Sequence, residues 1–393
     1  MGVIDTAAAT SAVPRPFSLH VADEALADLR ARLALTRYPD RTPGEAWAYG
    51  TDPDWLRGLV GYWRDGFDWR AQEARLNAFP QFKLALGGIE MHTLHVQGRG
   101  PRPMPLLLAH GWPGSVFEFL ELIPRLTDPA SFGGDAADAF TVVAPSLPGF
   151  GLSFEAGQKR FSVEEMADLF EQLMTEVLGY PRFAAQGGDW GSFVGSRLAY
   201  AHADKLIGLH LNFMPLRRDF SRGDGHSPDE QRYLGELAQW LKEEAGYQMI
   251  QGTKPQTLAA ALSDSPAGLA AWIAEKFRAW SDNNGDVHSA IDRDHLLANI
   301  SLYWFSGAIG SSFWPYYARM HGPWPVPAGS KISVPTGYCE SPREILRPPR
   351  SLAEATFSNI RRWTVLPRGG HFAAMEQPED LAHEIREFFR PLR

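Results

Sequence analysis

The strongest constraint on the fold is a series of short apolar runs that alternate with helical stretches. The runs are rich in Val, Leu and Ala, and most end in Gly, Pro or Asn. They read KLALGGIEMHTLHV, PLLLAHG, TVVAPSL, RFAAQGG, LIGLHLNF, KISVPTGY and RRWTVLPR. Short apolar strands separated by amphipathic helices are typical of a mostly parallel sheet with helices on its faces. The sequence therefore predicts an α/β fold.

Two helices between and after these runs are marked at their starts. Ser162 and Glu165 form a capping box, and Met166 and Leu169 begin an apolar stripe at helical spacing. The last helix, PEDLAHEIREFF, has Pro378 in its first turn, where proline is well tolerated. We expect the apolar stripe to pack in the core and to have no chemical role.

Changes in the strand pattern divide the chain into four parts. Residues 1–100 form a lead-in that runs into the first strands, and residues 101–213 carry the first part of the sheet. Residues 214–325 lose the strand pattern and contain aromatic-rich helical sequence such as LAAWIAEKFRAW. Strands resume in residues 326–393. We expect the third part to be a helical cap inserted into the core.

Charge and composition exclude several classes of partner. The net charge is −8, the pI is near 5.9 and no run of Lys or Arg occurs, which argues against nucleic acid and anionic membranes. The single cysteine, Cys339, and the lack of a signal peptide or long apolar stretch predict a cytoplasmic protein. Gly149 and Gly151 lack the third glycine of a dinucleotide fingerprint, and no P-loop or metal-ligand spacing occurs, so no cofactor or metal is expected. The oligomeric state stays open, and the lead-in offers surface for a homodimer.

The stretch QGGDWGS reads as a buried strand that enters a tight turn and then a helix. Gly188 and Gly191 flank Asp189, in the setting where α/β-hydrolases carry their nucleophile on a strained turn. The N-terminus of the following helix would stabilise a carboxylate there. An aspartate that only caps this helix is an equally good interpretation of the residue taken alone.

Two further polar residues follow other predicted strands, and their order along the chain matches that of a known catalytic group. Glu344 follows KISVPTGY and His371 follows RRWTVLPR, and nucleophile, acid, histidine is the chain order of α/β-hydrolases. The loop HGWPGS follows LLLA where that fold places its oxyanion loop, so the backbone N–H groups of Trp112 and Trp190 are the expected oxyanion donors. Each residue alone has a structural interpretation, but three residues in order at strand ends predict an α/β-hydrolase fold.

Several motifs together resemble the epoxide hydrolases of the microsomal type. These are QGGDWGS, HGWPGS, SLPGFG, PREILRPP and RGGHFAAMEQP, and the lead-in resembles the N-terminal segment of that family. The resemblance implies that Asp189 is the nucleophile, His371 the base and Glu344 its acid partner.

The resemblance also implies two ring-opening tyrosines in the cap. They fall at Tyr247 and Tyr316, and Tyr317 is a rival for the second role. Tyrosine is protonated at neutral pH and can donate a hydrogen bond to a developing alkoxide. Without the resemblance, aromatic packing inside the cap would explain these residues nearly as well.

Epoxide chemistry explains why a carboxylate occupies the nucleophile position. An epoxide carbon is saturated, so attack by a serine would leave an ether that the enzyme could not cleave, whereas Asp189 would form an ester. Water activated by His371 can hydrolyse an ester, and the ordinary histidine pKa of about 6.5 leaves much of the imidazole neutral at pH 7. The sequence predicts conversion of a small-molecule epoxide and water into a vicinal diol.

Two other functions stay open at this stage. A haloalkane dehalogenase uses the same fold and an aspartate nucleophile, but it must bind halide with N–H groups. A ligand-binding protein on a disabled hydrolase scaffold would need none of the catalytic side chains. Aromatic residues near the strand ends and in the cap suggest a bulky apolar substrate. The predicted substrate-binding residues are Trp112, Phe150, Trp190, Trp304 and Phe313.

Overall fold

The computed structural model describes residues 13–217 and 225–393. Residues 1–12, at the start of the predicted lead-in, and residues 218–224, in the predicted cap, lie outside the described residues. The described strands are β1 (Arg15–Pro16), β2 (Gln81–Leu86), β3 (Ile89–Val96), β4 (Met104–Ala109), β5 (Phe140–Pro145), β6 (Phe183–Gly187), β7 (Leu206–Leu211), β8 (Thr336–Glu340) and β9 (Ile360–Val365).

All of these strands belong to one sheet with the order β1-β2-β3-β5-β4-β6-β7-β8-β9. Strands β1, β2, β3 and β5 pair antiparallel, and every pairing from β5 through β4 to β9 is parallel. Strand β5 is buried along its whole length, as expected for a strand that is covered on both faces. The prediction of a mostly parallel α/β-hydrolase sheet is confirmed.

The helices connect these strands and flank the sheet. They are α1 (Asp23–Ala34), α2 (Pro53–Asp65), α3 (Trp69–Asn77), α4 (Leu122–Thr127), α5 (Val163–Gln172), α6 (Asp189–Ala201), α7 (Pro228–Glu243), α8 (Gly246–Thr253), α9 (Pro255–Asp264), α10 (Pro266–Trp280), α11 (Arg293–Ser306), α12 (Ile309–Ser312), α13 (Trp314–His321), α14 (Arg350–Ala353), α15 (Ala373–Glu376) and α16 (Pro378–Phe389). Within the described residues, none of them is both long and apolar enough to cross a membrane.

Local sequence signals set the bounds of several elements. The capping box predicted before α5 is present, because Ser162 Oγ accepts from the Glu165 N–H and the Glu165 carboxylate accepts from the Ser162 N–H. The run KISVPTGY forms a strand only from Thr336 onward, so this strand begins later than the sequence predicts. Pro335 has no N–H to donate to a neighbouring strand, and Ile332 before it makes only an isolated bridge.

The lead-in packs on helices that lie between β7 and β8. Those helices, α7 to α13, form the inserted segment, and no strand interrupts them within the described residues. Trp63 Nε1 on α2 donates to Ser301 Oγ on α11 over 2.9 Å, and Thr51 Oγ1 donates to the Ala271 carbonyl of α10 over 2.8 Å. The lead-in therefore braces the inserted helices from outside, in addition to supplying the first strands.

Candidate active site

Asp189 lies at the turn that joins β6 to α6. Its φ angle is 43°, a positive value that is strained for a residue with a side chain and typical of a nucleophile turn. The turn is tightly packed, because a Cβ atom at Gly191 would lie 1.9 Å from the Ala109 carbonyl oxygen. The carboxylate stands at the N-terminus of α6, where the helix dipole stabilises negative charge.

The loop after β4 holds one oxygen of this carboxylate. The backbone N–H of Trp112 donates to Asp189 Oδ1 over 2.7 Å. Gly111 permits this approach, since a Cβ atom there would lie 2.2 Å from Oδ1. Trp190 is the second residue of α6, where a backbone N–H has no acceptor within the helix and is free to serve as a second donor.

Three buried side chains of α11 hold the oxyanion loop in place. His295, Asn299 and Tyr303 are spaced four residues apart, so they lie on one face of the helix. The bonds run from Asn299 to the Pro113 carbonyl (2.7 Å), from the Ser115 hydroxyl to Asn299 (2.7 Å), from Tyr303 to the Gly114 carbonyl (2.8 Å) and from His295 to the Phe117 carbonyl (2.7 Å). An inserted helix therefore sets the position of the Trp112 N–H.

His371 joins the other two residues predicted for the catalytic site. It follows β9 and Glu344 follows β8, so parallel strands bring both to the edge of the sheet that carries Asp189. His371 Nδ1 lies 2.6 Å from Glu344 Oε1, and His371 Nε2 lies 3.4 Å from Asp189 Oδ2. The side chains of His371 and Glu344 are 2% and 0% exposed. A buried histidine therefore lies between two carboxylates.

The charge state of His371 differs from the sequence-based expectation of an ordinary pKa. Burial lowers the pKa of His371, but the charge of Glu344 and the hydrogen bond and charge of Asp189 outweigh it and raise the pKa well above 6.5. The imidazole is therefore protonated at neutral pH.

Two tyrosines from the inserted helices lie close to Asp189. The ring of Tyr247, on α8, stacks on Trp112 with centroids 5.4 Å apart, and Tyr316, on α13, meets Trp190 edge-on at 4.7 Å. The rings of Tyr247 and Tyr316 are 5.7 Å apart. Burial raises the pKa of the Tyr316 hydroxyl well above 10, so this hydroxyl stays protonated.

Tyr317, the rival for the second tyrosine role, points elsewhere. Its ring stacks on His321 at 4.0 Å and on Trp314 at 4.9 Å, away from the carboxylate. Consecutive helical residues point about 100° apart, so only one of the pair can face the site. The structure places Tyr316 at the site.

A cavity of about 580 Å³ opens above Asp189 and the two tyrosines. This volume is typical of a site for a drug-sized ligand. Aromatic rings supply much of its wall, namely Trp190, Phe193, Phe213, Tyr233, Trp240 and Trp324. The shape and lining suit an apolar molecule with a reactive group at the Asp189 end.

Four of the five residues predicted to bind substrate do not line this cavity. Trp112 lies behind Tyr247, Phe150 is fully buried against His110, and Phe313 is fully buried behind Trp112. Trp304 lies at the lead-in, where the Arg32 guanidinium sits 5.8 Å from its ring. Aromatic residues occur both in the core and in cavity walls, so the sequence could not tell the two apart. Of the five residues, only Trp190 lines the cavity.

Sequence reasoning missed Glu118. It lies in the short 3-10 helix Val116–Phe119 that follows the oxyanion loop and is half-buried, and loss of solvation raises the pKa of its carboxyl to about 8. With Gln186 and His371 it lines a second, small cavity of about 20 Å³ beside Asp189, a volume that suits one water molecule. Gln186 Oε1 has no hydrogen-bond partner among residues 13–217 and 225–393. The signal was present in the sequence as an acidic residue inside an otherwise apolar stretch, VFEFL.

Comparison with known proteins identifies the family. The model for the epoxide hydrolase N terminus matches residues 14–119, and the model for the alpha/beta hydrolase fold matches residues 104–243. The chain is 46% identical to a Stigmatella aurantiaca protein that carries a provisional epoxide hydrolase name, over 96% of this chain and 85% of that protein. It is 36% identical to epoxide hydrolase 1 of Oryctolagus cuniculus, over 95% of this chain and 88% of that protein.

Solved structures agree with the sequence relatives. The structure of Aspergillus niger epoxide hydrolase superimposes with a TM-score of 0.84 at 30% identity, covering 98% of this chain and 97% of that one. The juvenile hormone epoxide hydrolase of Bombyx mori gives a TM-score of 0.86 at 29% identity, covering 98% and 95%. The chain therefore belongs to the epoxide hydrolase family of the α/β-hydrolase fold.

Proposed function

We propose that this protein converts an epoxide and water into a vicinal diol through a covalent ester on Asp189. The observation that carries the proposal is the arrangement around one carboxylate. The Trp112 N–H binds its Oδ1, His371 stands 3.4 Å from its Oδ2, and Tyr247 and Tyr316 lie around the cavity above it. This arrangement supplies a nucleophile, an acid for the epoxide oxygen and a base for the second step.

In the first step, Asp189 Oδ2 attacks an epoxide carbon and the C–O bond of the ring breaks. Tyr247 and Tyr316 donate hydrogen bonds to the oxygen that leaves the ring, which accumulates negative charge. Oδ1 becomes the ester carbonyl oxygen and already accepts from Trp112. The donors are therefore in place before the tetrahedral intermediate of the second step forms.

The second step needs a neutral His371, and the first step supplies it. The charge of Asp189 helps to raise the pKa of His371, and that charge disappears when the ester forms. The pKa of the imidazole then falls, so the imidazolium gives up one proton, which balances the proton that the ring oxygen takes up to become a hydroxyl. The neutral Nε2 can then take a proton from water. The small cavity lined by Glu118, Gln186 and His371 is a suitable place for this water, which attacks the ester and releases the diol.

The substrate is best sought among bulky apolar epoxides. The aromatic wall around the 580 Å³ cavity favours an aryl or long alkyl group next to the oxirane. One relative of known structure is named a juvenile hormone epoxide hydrolase. The negative net charge agrees with a neutral ligand in place of nucleic acid.

Turnover of a racemic aryl epoxide in ¹⁸O-labelled water tests the proposal. With enzyme in excess, the first turnover should leave label in the Asp189 carboxylate and none in the diol, because the diol oxygen comes from Asp189. Asp189→Ala should form no diol. Label that appears directly in the diol during the first turnover contradicts the covalent route.

Two further assays separate the alternatives. A haloalkane dehalogenase would release halide from a haloalkane panel and form no diol from epoxides. A ligand-binding protein would form no covalent adduct at all. His371→Gln should accumulate the Asp189 ester, which mass spectrometry detects as a mass increase equal to that of the epoxide.

A further inference from the structure

The Glu376 carboxylate holds the backbone on both sides of His371. It does not belong to the group formed by Asp189, His371 and Glu344. Oε2 of Glu376, at the end of α15, accepts from the N–H of Gly370 over 2.9 Å, and Oε1 accepts from the N–H of Phe372 over 3.0 Å. These two N–H groups belong to the residues before and after His371. The backbone that carries the imidazole is thus fastened to a single side chain.

The same carboxylate also reaches the inserted helices. Oε2 of Glu376 accepts a further hydrogen bond, over 2.7 Å, from the N–H of Asp282, which follows the end of α10. The Asp282 carboxylate in turn accepts from the N–H of Gly369 over 2.9 Å. Residues 369–372, which carry His371, and the segment after α10 are therefore joined by hydrogen bonds from the side chains of both Glu376 and Asp282.

The backbones of these two segments touch directly. The N–H of His371 donates to the Trp280 carbonyl over 2.8 Å. A Cβ atom at Gly370 would lie 2.3 Å from the same carbonyl oxygen, so the contact allows no larger residue and little sliding. Trp280 also packs edge-on against the His371 ring, with centroids 5.2 Å apart. A small movement of either segment would move the imidazole.

We propose that Glu376 is a positioning residue that holds the His371 imidazole in line for hydrolysis of the Asp189 ester. The inference rests on the proposed function, because only the second step of that mechanism uses His371 as a base. Glu376 touches neither the substrate cavity nor the Asp189 carboxylate, and its effect passes through the backbone at positions 370–372. Loss of the Glu376 carboxylate should therefore slow hydrolysis of the Asp189 ester and leave its formation unchanged.

The test measures the two steps separately in Glu376→Gln. The amide keeps the shape of the side chain but replaces one accepting oxygen with a donor that faces backbone N–H groups. Rapid mixing with excess enzyme, followed by mass spectrometry, gives the rate of ester formation and the rate of ester loss. We expect ester loss to slow about 10- to 100-fold, because misplacing a catalytic group by about 1 Å has effects of that size. Ester formation should stay within about 2-fold of wild type.

Two further variants complete the experiment. Glu379→Gln removes the same charge from an exposed residue three positions away and should leave both rates unchanged. Glu376→Asp keeps the charge but is one methylene too short to reach all three N–H groups, so it should give a smaller loss of the same step. It also serves as the test if the glutamine variant does not fold.

Each outcome supports or overturns a distinct claim. Wild-type enzyme that never forms the ester overturns the proposed function and the inference together. Wild-type ester formation with unchanged ester loss in both Glu376 variants overturns the inference alone. A parallel fall of both rates, together with a lower thermal midpoint, also overturns it, because that result describes a general structural role.

Discussion

His371 Nδ1 lies 2.6 Å from Oε1 of Glu344, and the other oxygen of Glu344 has no hydrogen-bond partner among the described residues. Oε1 also accepts from the Ile345 N–H over 2.7 Å, so this one oxygen both contacts the imidazole and is held by the backbone. The carboxylate fixes the tautomer that leaves Nε2 toward Asp189, and its charge is the largest influence that raises the pKa of His371 against the effect of burial. The acid partner tunes the base as well as orienting it.

Replacing Glu344 with glutamine should alter the pH dependence of ester hydrolysis. Removal of the charge lowers the pKa of His371, so the neutral base exists at lower pH and the acidic limb of the rate profile shifts to lower pH. The maximal rate should fall about 10²- to 10⁴-fold, because the imidazolium that forms is no longer stabilised. Single-turnover ester loss across pH measures both effects. An acidic limb that stays in place would show that Glu344 does not set this pKa.

The two tyrosines that flank the cavity should act on the first step. Tyr247→Phe and Tyr316→Phe each remove one donor to the epoxide oxygen, so ester formation should slow about 100-fold in either variant and further in the double variant. Tyr317→Phe is the matched control, since its ring packs on His321, and it should change the rate less than 2-fold. Rapid mixing with excess enzyme measures the rate of ester formation in each variant. A large effect at Tyr317 would contradict the assignment.

Asn299→Ala should reduce both stability and turnover. The substitution leaves the Pro113 carbonyl and the Ser115 hydroxyl buried without their partner, at a cost of about 1–3 kcal/mol for each group. It also loosens the loop that carries the Trp112 N–H. Urea unfolding gives the free energy, and steady-state kinetics give kcat. Asn359→Ala removes two exposed hydrogen bonds and is the control, for which little change in either quantity is expected.

Glu118→Gln should raise the free energy of unfolding at high pH, because it removes a carboxyl whose ionisation destabilises the folded protein. The pKa of Glu118 is about 8 in the folded protein, above its ordinary 4.5, so the folded state holds the proton more tightly. Stability therefore falls as pH rises from about 4.5 to about 8. Glutamine carries no charge, so the variant should exceed wild type by a few kcal/mol at pH 8 and by much less at pH 5. Urea unfolding at the two pH values measures this difference.

The exposed neighbour Glu121 supplies the control for that experiment. Glu121→Gln should keep the wild-type dependence of stability on pH, because this side chain is exposed and its surface ion pairs with Arg75 and Arg125 contribute little. If Glu118→Gln also keeps the wild-type dependence, burial does not set the protonation state of Glu118. Its place beside the small cavity would then carry no charge-related role.

The sequence by itself determined the fold and the residues that meet at its sheet edge. Strand periodicity, a glycine-flanked Asp189 and the order of Glu344 and His371 are local features, and parallel strands bring their carboxyl ends together whatever the details of packing. For that reason the amino-acid sequence alone predicts the α/β-hydrolase sheet and the closeness of these three residues.

Only the tertiary structure decided which faces of the inserted helices meet the nucleophile. In the structure Tyr316, and not Tyr317, meets Trp190, and Phe150, Phe313 and Trp304 lie away from the large cavity. Glu118 lines the small cavity beside Asp189. Helical spacing gives the angle between neighbouring side chains but not the rotation of a helix against its partners. Burial and the charges of distant neighbours also set pKa values, so the protonated state of His371 arises from contacts between residues far apart in the chain.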